Sequence, residues 1–394
     1  MIYLDNNATT KVDEKVLESM MPYFTEEYAN PSSIYDFSKK SSRAIKEARG
    51  VIKDFINAND EKEIIFTSCG SESANTAIKG VLNYNKSKKH IVTTKVEHPC
   101  VLNVYKSLEK QGYKVDYLSV NSNGDLDLEE LDSVINPETA LVSVMWANNE
   151  TGVINPIKKV SEIIKSKNPD TKLFVDAVQV AGKIPMNVQE MGIDLLGISG
   201  HKFHAPKGVG ALYVNSKTMI TPLIIGGHQE RGKRAGTENV PYIVGMAKAA
   251  ELAQDALKYE LTEVKRLRDK LETNLLKNIY NARLNTAVTN RVPNTTNIGF
   301  EYVEGELILL HMSDLGICAS SGSACTSGSL EPSHVLRAMN VPFTAIHGSI
   351  RFSLSRYTTE KEIDFVCEKM PQIIEKITAI SPFQDELAAL KSRK

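Results

Sequence analysis

The chain has 394 residues, 42% hydrophobic and 24% charged, with a formal net charge of -1. That composition suits a globular protein with one large core and a smaller one, and the near-neutral charge gives no electrostatic reason to expect a nucleic-acid or membrane partner. The five cysteines (Cys69, Cys100, Cys318, Cys325 and Cys367) are odd in number and never form CxxC, which argues against a disulfide framework or zinc site and makes a reducing cytoplasm the expected compartment.

The opening stretch, MIYLDNNATTKVDEK, has neither a basic n-region nor an apolar h-region, so no secretion signal is expected. No apolar run approaches bilayer length. From about residue 60 to 215, short apolar runs alternate with amphipathic stretches. The runs are EIIFT (63–67), HIVTT (90–94), KVDYLSV (114–120), ALVSVMW (140–146), KLFVD (172–176), DLLGIS (194–199) and GALYV (210–214). Between them lie helix-like segments such as SESANTAIKGVLNY and IKKVSEIIKSK. The alternation predicts an α/β sheet, largely parallel, with helices on both faces. A charged stretch over 241–278 reads as one or two helices leading to a second unit. From about 290 the pattern becomes NTTNIGF, the helix GELILLHMSDL, ICAS, GSIRFSL and a last helix from Thr359; that is a smaller α+β unit. No internal repeats are found, and the compositionally biased stretch is ASSGSACTSGS (319–329).

Ligands in such sheets sit beyond the carboxyl ends of the strands, so the residues after each run are where chemistry is expected. FTSCGSESAN passes from a strand through Gly70 into a helix opening with Ser71 and Glu72. Backbone N–H groups and a hydroxyl there suit a phosphate, although a plain N-cap at Ser71 is the simpler reading of this stretch alone. His98 follows the next strand, and a lone histidine is more often structural than catalytic. Asp176 ends KLFVD with Gln179 one turn on, and the following strand delivers Ser199, His201 and Lys202 to the same rim. The acid and the lysine have two readings. One is a structural ion pair; the other is pyridoxal phosphate, with the lysine as Schiff base and the aspartate keeping the pyridine nitrogen protonated. Thr237 lies in the Gly-rich, basic GGHQERGKRAGTEN. Arg351, in a strand-like run, could grip a carboxylate through two parallel hydrogen bonds, and Arg356 could do the same. Cys325 stands among small, flexible residues, an odd setting for a residue that is usually a buried hydrophobe.

Taken in order, YLDNNATT (3–10), NPSS (30–33), TSCGSESAN (67–75), EHP (97–99), NNETG (148–152), VDAVQ (175–179), SGHKFHAPKGVG (199–210), RAGTEN (234–239), SSGSACTSG (320–328) and IRFSLSR (350–356) resemble the NifS/IscS-type cysteine desulfurases, pyridoxal-phosphate enzymes of the aminotransferase class V family. The resemblance covers nearly the whole chain. It implies the aminotransferase-like fold (type I of the pyridoxal-phosphate enzymes), with a large cofactor-binding unit over 15–257 and a small unit over 1–14 and 258–394 that carries the cysteine loop.

By motif, the resemblance implies that Lys202 holds pyridoxal 5'-phosphate covalently, Asp176 pairs with its ring nitrogen, Gln179 bonds its phenolic oxygen and His98 stacks on the ring and shuttles protons. Gly70, Ser71, Ser199 and His201 would bind the phosphate, with Thr237 reaching in from the second subunit of a homodimer. Asn149 and Arg351 would hold the substrate carboxylate, and Cys325 would accept sulfur from L-cysteine as a persulfide, releasing L-alanine. A sulfur-accepting scaffold or carrier protein in iron–sulfur cluster assembly would be the partner.

A flexible Ser/Gly loop suits a thiol that must reach a buried cofactor and then carry its product outward. The remaining four cysteines read as structural. Ser71 stands where threonine is frequent and Cys69 where a small residue is usual; the tail ELAALKSRK does not resemble that of the housekeeping IscS proteins, and GGHQERGKRAGTENV looks more like the NifS branch. A selenocysteine lyase or a class V aminotransferase would use the same pocket. A cofactor-free sulfur carrier would need Cys325 but no strand-end acid and lysine.

Overall fold

The computed structural model describes residues 1–286, 289–321 and 332–392. Cys325 and residues 322–331 around it therefore lie outside the described residues. The strands in chain order are β1 (Ile2–Tyr3), β2 (Ile64–Thr67), β3 (His90–Thr94), β4 (Lys114–Leu118), β5 (Thr139–Met145), β6 (Lys172–Asp176), β7 (Leu195–Ser199), β8 (Gly210–Val214), β9 (Ala282–Leu284), β10 (Thr295–Phe300), β11 (Ile317–Cys318), β12 (Ser320–Ser321) and β13 (Ser349–Ser353).

Seven strands form one sheet in the order β2-β8-β7-β6-β5-β3-β4. Neighbours from β4 to β7 are parallel, and β8 runs against both β7 and β2. The expected largely parallel sheet is present, and its near-continuous apolar runs have the physical cause anticipated for them. Both faces are covered, so apart from the edge strand β4 and Lys172 the strand positions are buried. Successive residues alternate between two cores: Leu173, Val175, Leu196 and Ile198 join one, while Phe174 and Leu195 join the other. The helix Gly70–Tyr84 packs on the second face through Ala77, Ile78 and Val81.

The stretch expected as one or two helices is a single rod. Val240–Tyr259 and Lys265–Asn278 are α-helical and joined by a π-turn over Glu260–Val264. Its first half buries Ile243, Met246 and Ala250 in the large core; its second half buries Leu267, Leu271 and Leu275 with Phe300, Phe352 and Met370 in another. That second core lies under the antiparallel sheet β12-β13-β10-β9. The run ICAS is divided into two short strands, β11 beside β1 and β12 beside β13. The last expected helix is Glu360–Ala379, capped by Thr359 through a capping box with Glu362. A further helix, Gln384–Lys391, was not anticipated.

Residues 5–10 cross between the two sheets. Asn6 and Asn7 donate their backbone N–H groups to the Ser353 carbonyl and hydroxyl, at 3.1 and 2.9 Å. Thr10 donates its N–H to the His201 carbonyl at 3.0 Å. This crossing puts the start of the chain against the loop that follows β7.

Candidate active site

A cavity of about 220 Å³ opens beyond the carboxyl ends of β5, β6 and β7. It is lined by Gly70, Ser71, His98, Asn149, Asp176, Gln179, Ser199, His201 and Lys202. These were nine of the sequence-predicted site residues. Parallel strands deliver them because each strand ends at the same rim.

At one side the helix Gly70–Tyr84 presents its N-terminus. The expected cap at Ser71 is corrected here: the N-cap position is Cys69, which makes no side-chain cap bond, and Ser71 lies inside the first turn. The Glu72 carboxylate instead accepts the Ser68 N–H at 2.8 Å and is held by Arg234 at 2.9 Å. The first-turn N–H groups have no intrahelical acceptors, and the helix dipole favours an anion there. A Cβ on Gly70 would come within 2.9 Å of Val178 Cγ2, so the close approach of this turn to the strand ends requires glycine.

At the other side Asp176 ends β6, buried, with Oδ1 accepting the Val178 N–H at 3.0 Å. Burial pushes its carboxyl up, against the pull of nearby His98 and Lys202. His98 caps the helix Pro99–Glu109: its Nδ1 accepts the Cys100 N–H at 3.2 Å. With Nδ1 occupied as acceptor, the neutral ring carries its proton on Nε2. Burial pushes the His98 pKa down, so the neutral form is favoured. His201 is pushed down to about 4 by burial and by the charges of Lys202, Lys207 and Lys183, and it shares a hydrogen bond with Thr9 Oγ1 at 3.1 Å.

Lys202 ends a single 3₁₀ turn after β7, and its Nζ donates to the carbonyls of Asn7 and Ala8 at 2.6 and 2.7 Å. The Asn7 carbonyl also accepts from Gln179 Nε2 at 3.1 Å. Asn7 Nδ2 donates to the Asn149 carbonyl and Thr295 Oγ1, at 3.1 and 2.9 Å. Asn7 was missed by the sequence reading although it lies within the quoted YLDNNATT. Its partners are 142 to 346 positions away, so no local pattern marks it.

Arg351, on β13, is buried and does not line the cavity. It connects to it: Nη1 donates to the Asn149 carbonyl at 3.0 Å. Arg356, the other arginine considered, pairs with Asp13 at 3.5 Å beside a different cavity. Thr237 is exposed and outside the cavity lining, in a loop whose other end is tied down by a buried Arg49–Glu230 pair at 2.6 and 2.8 Å. Two of the cysteines read as structural stand at the cavity. Cys69 and Cys100 both line the cavity, and the Cys100 thiol lies 4.0 Å from Asp176 Oδ2. Their positions follow from the turns after β2 and β3, a signal available in the sequence. Cys367 is buried in the smaller core and Cys318 lies in β11.

A buried acid, an amine and an open helix N-terminus facing one cavity can hold a charged ring bearing an anionic group. Residues 2–366 match the family described as aminotransferase class-V. A protein from a Nostoc species named cysteine desulfurase is 57% identical over 388 residues, 98% of this chain and 96% of that one. The chain belongs to the class V aminotransferase family, among its NifS-like cysteine desulfurases. Cysteine desulfurase NifS of Azotobacter vinelandii is 50% identical over 382 residues, 97% of this chain and 94% of that one. A solved structure titled NifS-like protein superposes with a TM-score of 0.90 at 40% identity, covering 95% of this class V chain and 99% of the other. That agreement over nearly the full length bears out the expected aminotransferase-like fold. Among the described residues no helix is long and apolar enough to cross a membrane.

Proposed function

We propose that this chain is a cysteine desulfurase that converts L-cysteine to L-alanine and leaves the substrate sulfur on Cys325 as a persulfide. The observation that carries this is the meeting of Lys202 and Asp176 at one cavity, at the ends of adjacent parallel strands. The residues present fit pyridoxal phosphate. The uncapped helix N-terminus at Gly70, with Ser71, Ser199 and His201 around it, suits the phosphate, and the buried Asp176 suits a protonated ring nitrogen. When bound, that group supplies an electron sink for the amino acid's Cα.

The chain's own residues do the rest. Lys202 supplies the amine that ties the cofactor to the chain, and Gln179 supplies a hydrogen-bond donor. Arg351 and Asn149 hold the substrate carboxylate. His98, with its proton on Nε2, moves protons to and from the substrate. The Cys325 thiolate attacks the substrate sulfur: an S–S bond forms, the substrate C–S bond breaks with its electron pair left on carbon, and protonation there yields alanine. Atoms balance as L-cysteine plus thiol giving L-alanine plus persulfide. Thr237 completes the phosphate site of a second copy, so the unit is a homodimer. The cofactor unit is 15–257, with 1–14 and 258–394 forming the unit that bears Cys325. The persulfide passes to a scaffold or carrier protein in the cytoplasm, for iron–sulfur cluster assembly.

A visible spectrum of the purified protein, followed by L-cysteine with alanine and sulfide measured, tests this. A cofactor band that responds to cysteine, with equimolar alanine and sulfide in the presence of a thiol reductant, is expected. Keto-acid-dependent amino transfer without sulfide would replace it with an aminotransferase, and a colourless protein with a sulfur carrier.

A further inference from the structure

Lys183 is a buried lysine, 6% exposed, that the chemistry above leaves unused. It sits four positions after Gln179, in a helix-like turn where Val180 and Ala181 donate to the Ala177 carbonyl, so the two side chains share one side. Lys183 Nζ donates to Gln179 Oε1 at 3.0 Å and to Asn7 Oδ1 at 3.3 Å. The other end of the same amide is also committed: Gln179 Nε2 donates to the Asn7 carbonyl at 3.1 Å.

A glutamine amide has one acceptor end and one donor end with two hydrogens. Here an amine that donates faces Oε1, and a carbonyl that only accepts faces Nε2. Turning the amide over would set carbonyl against carbonyl and N–H against N–H. One Nε2 hydrogen is used by Asn7, and the second remains for the cavity that Gln179 lines. We propose that Lys183 is a positioning residue that locks the Gln179 amide, so that the cavity meets an N–H and never a carbonyl. Within the proposed function, on which this rests, that N–H serves the phenolic oxygen of pyridoxal phosphate and favours its anionic form.

The lock survives titration of the lysine. Burial and the charges of Lys202 and Arg351 push Lys183 down to about 7, against the pull of Glu260. Protonated, it has three hydrogens and no lone pair; neutral, it keeps two hydrogens for its two bonds but gains a lone pair, and the Asn7 carbonyl facing Nε2 then opposes the turned amide.

The test compares wild type, Lys183→Met and Lys183→Gln, each with Gln179 intact and with Gln179→Ala. Two quantities are read: the affinity of the apoprotein for pyridoxal phosphate, and the pH midpoint of the bound cofactor's visible absorbance. Lys183→Met should weaken binding about ten-fold and raise the midpoint by about one pH unit, the effect of one lost hydrogen bond to a charged group. Lys183→Gln, which keeps a donor, should restore at least part of both. On the Gln179→Ala background Lys183→Met should change neither. A Lys183→Met protein with the wild-type affinity and midpoint overturns the proposal, as do equal losses on both backgrounds. Lys183→Leu repeats the test if the methionine variant does not fold, and failure of both to fold makes the residue structural and overturns it too. A wild type that binds no pyridoxal phosphate removes the proposed function and this inference together. A wild type that binds it beside an unchanged Lys183→Met removes the inference alone.

Discussion

Arg351 Nη2 donates to Asp5 Oδ1 at 2.7 Å while its Nη1 holds the Asn149 carbonyl. An internal carboxylate therefore fixes the guanidinium before any substrate arrives, and its Nε has no partner among the described residues. Arg351→Ala should raise KM for L-cysteine about ten- to a hundred-fold, the loss of a charge-assisted contact of roughly 1.5–3 kcal/mol. Arg351→Lys should not restore it, because an ammonium cannot reproduce the planar fork that grips a carboxylate through two parallel bonds. Steady-state kinetics decide this; a near-normal KM in Arg351→Ala would move the anchor elsewhere.

Lys202→Ala should fold yet show no lysine-linked cofactor band and essentially no turnover. Borohydride reduction of the wild type, followed by peptide mapping, should find the cofactor on Lys202. A label on Lys207, which lies five residues on and outside the cavity lining, would overturn the assignment.

Cys325→Ser replaces a thiol that ionises near neutral pH with a hydroxyl that does not. The variant should keep its colour and bind L-cysteine, but release no alanine. Mass spectrometry of the wild type should find one added sulfur on Cys325. Alanine release by the variant, or the sulfur on Cys69 or Cys100, would sink the assignment; both of those line the cavity.

Glu97 gives a pH signature. Its carboxyl is fully buried: Oε1 accepts from Thr94 Oγ1 and the Met145 N–H, and Oε2 has no partner among the described residues. Burial above all, with the negative charge of Asp176, pushes it up from 4.5 to about 8. Below 4.5 the folded and unfolded chains both hold this proton and the stability is complete. As pH rises the unfolded chain ionises first, so stability falls until the folded group ionises near 8. Glu97→Gln cannot ionise. Its stability relative to wild type, read from urea denaturation, should improve by roughly 1–4 kcal/mol between pH 5 and pH 8. A gap that stays constant across that range would mean the carboxyl titrates normally.

Arg49 and Glu230 are both buried, and Glu230 also accepts the Phe66 N–H at 3.1 Å. Glu230 and Arg231 hold positive φ angles of 46° and 58°, conformations that cost non-glycine residues energy and persist only where their surroundings fix them. Arg49→Met should destabilise the fold by about 3–5 kcal/mol, because it leaves a buried carboxylate without its partner. Denaturation by urea measures this, and a loss under 1 kcal/mol would show that Glu230 finds water instead.

The sheet was legible because parallel strands covered on both faces read as apolar runs. HIVTT, KLFVD and GALYV coincide with β3, β6 and β8. The strand-end residues of the site were legible for the same reason: Asp176 and Lys202 follow runs whose direction the alternation with helices sets. Lys183, Asn7 and Asp5 were not, because their meaning lies in partners that the fold alone brings near. Lys183 looks like any charged residue in a turn, and only burial reveals it. The cavity-side positions of Cys69 and Cys100 were not read from the sequence, because a composition argument counts a cysteine away from a flexible loop as packing. The turns after β2 and β3 put both at the strand-end rim instead.

The Asn7 carbonyl that receives Lys202 is itself fixed by the bond from the Asn7 N–H to Ser353 Oγ, between residues 346 positions apart. On a ribosome the acceptor is therefore made 346 positions ahead of the strand residue that steadies it. A nascent chain halted before β13 already contains the seven strands of the large sheet and both Lys202 and Asp176. It still lacks the clamp on the carbonyl to which the lysine's amine bonds. The pocket is completed only when β13 reaches back to a residue made hundreds of positions earlier.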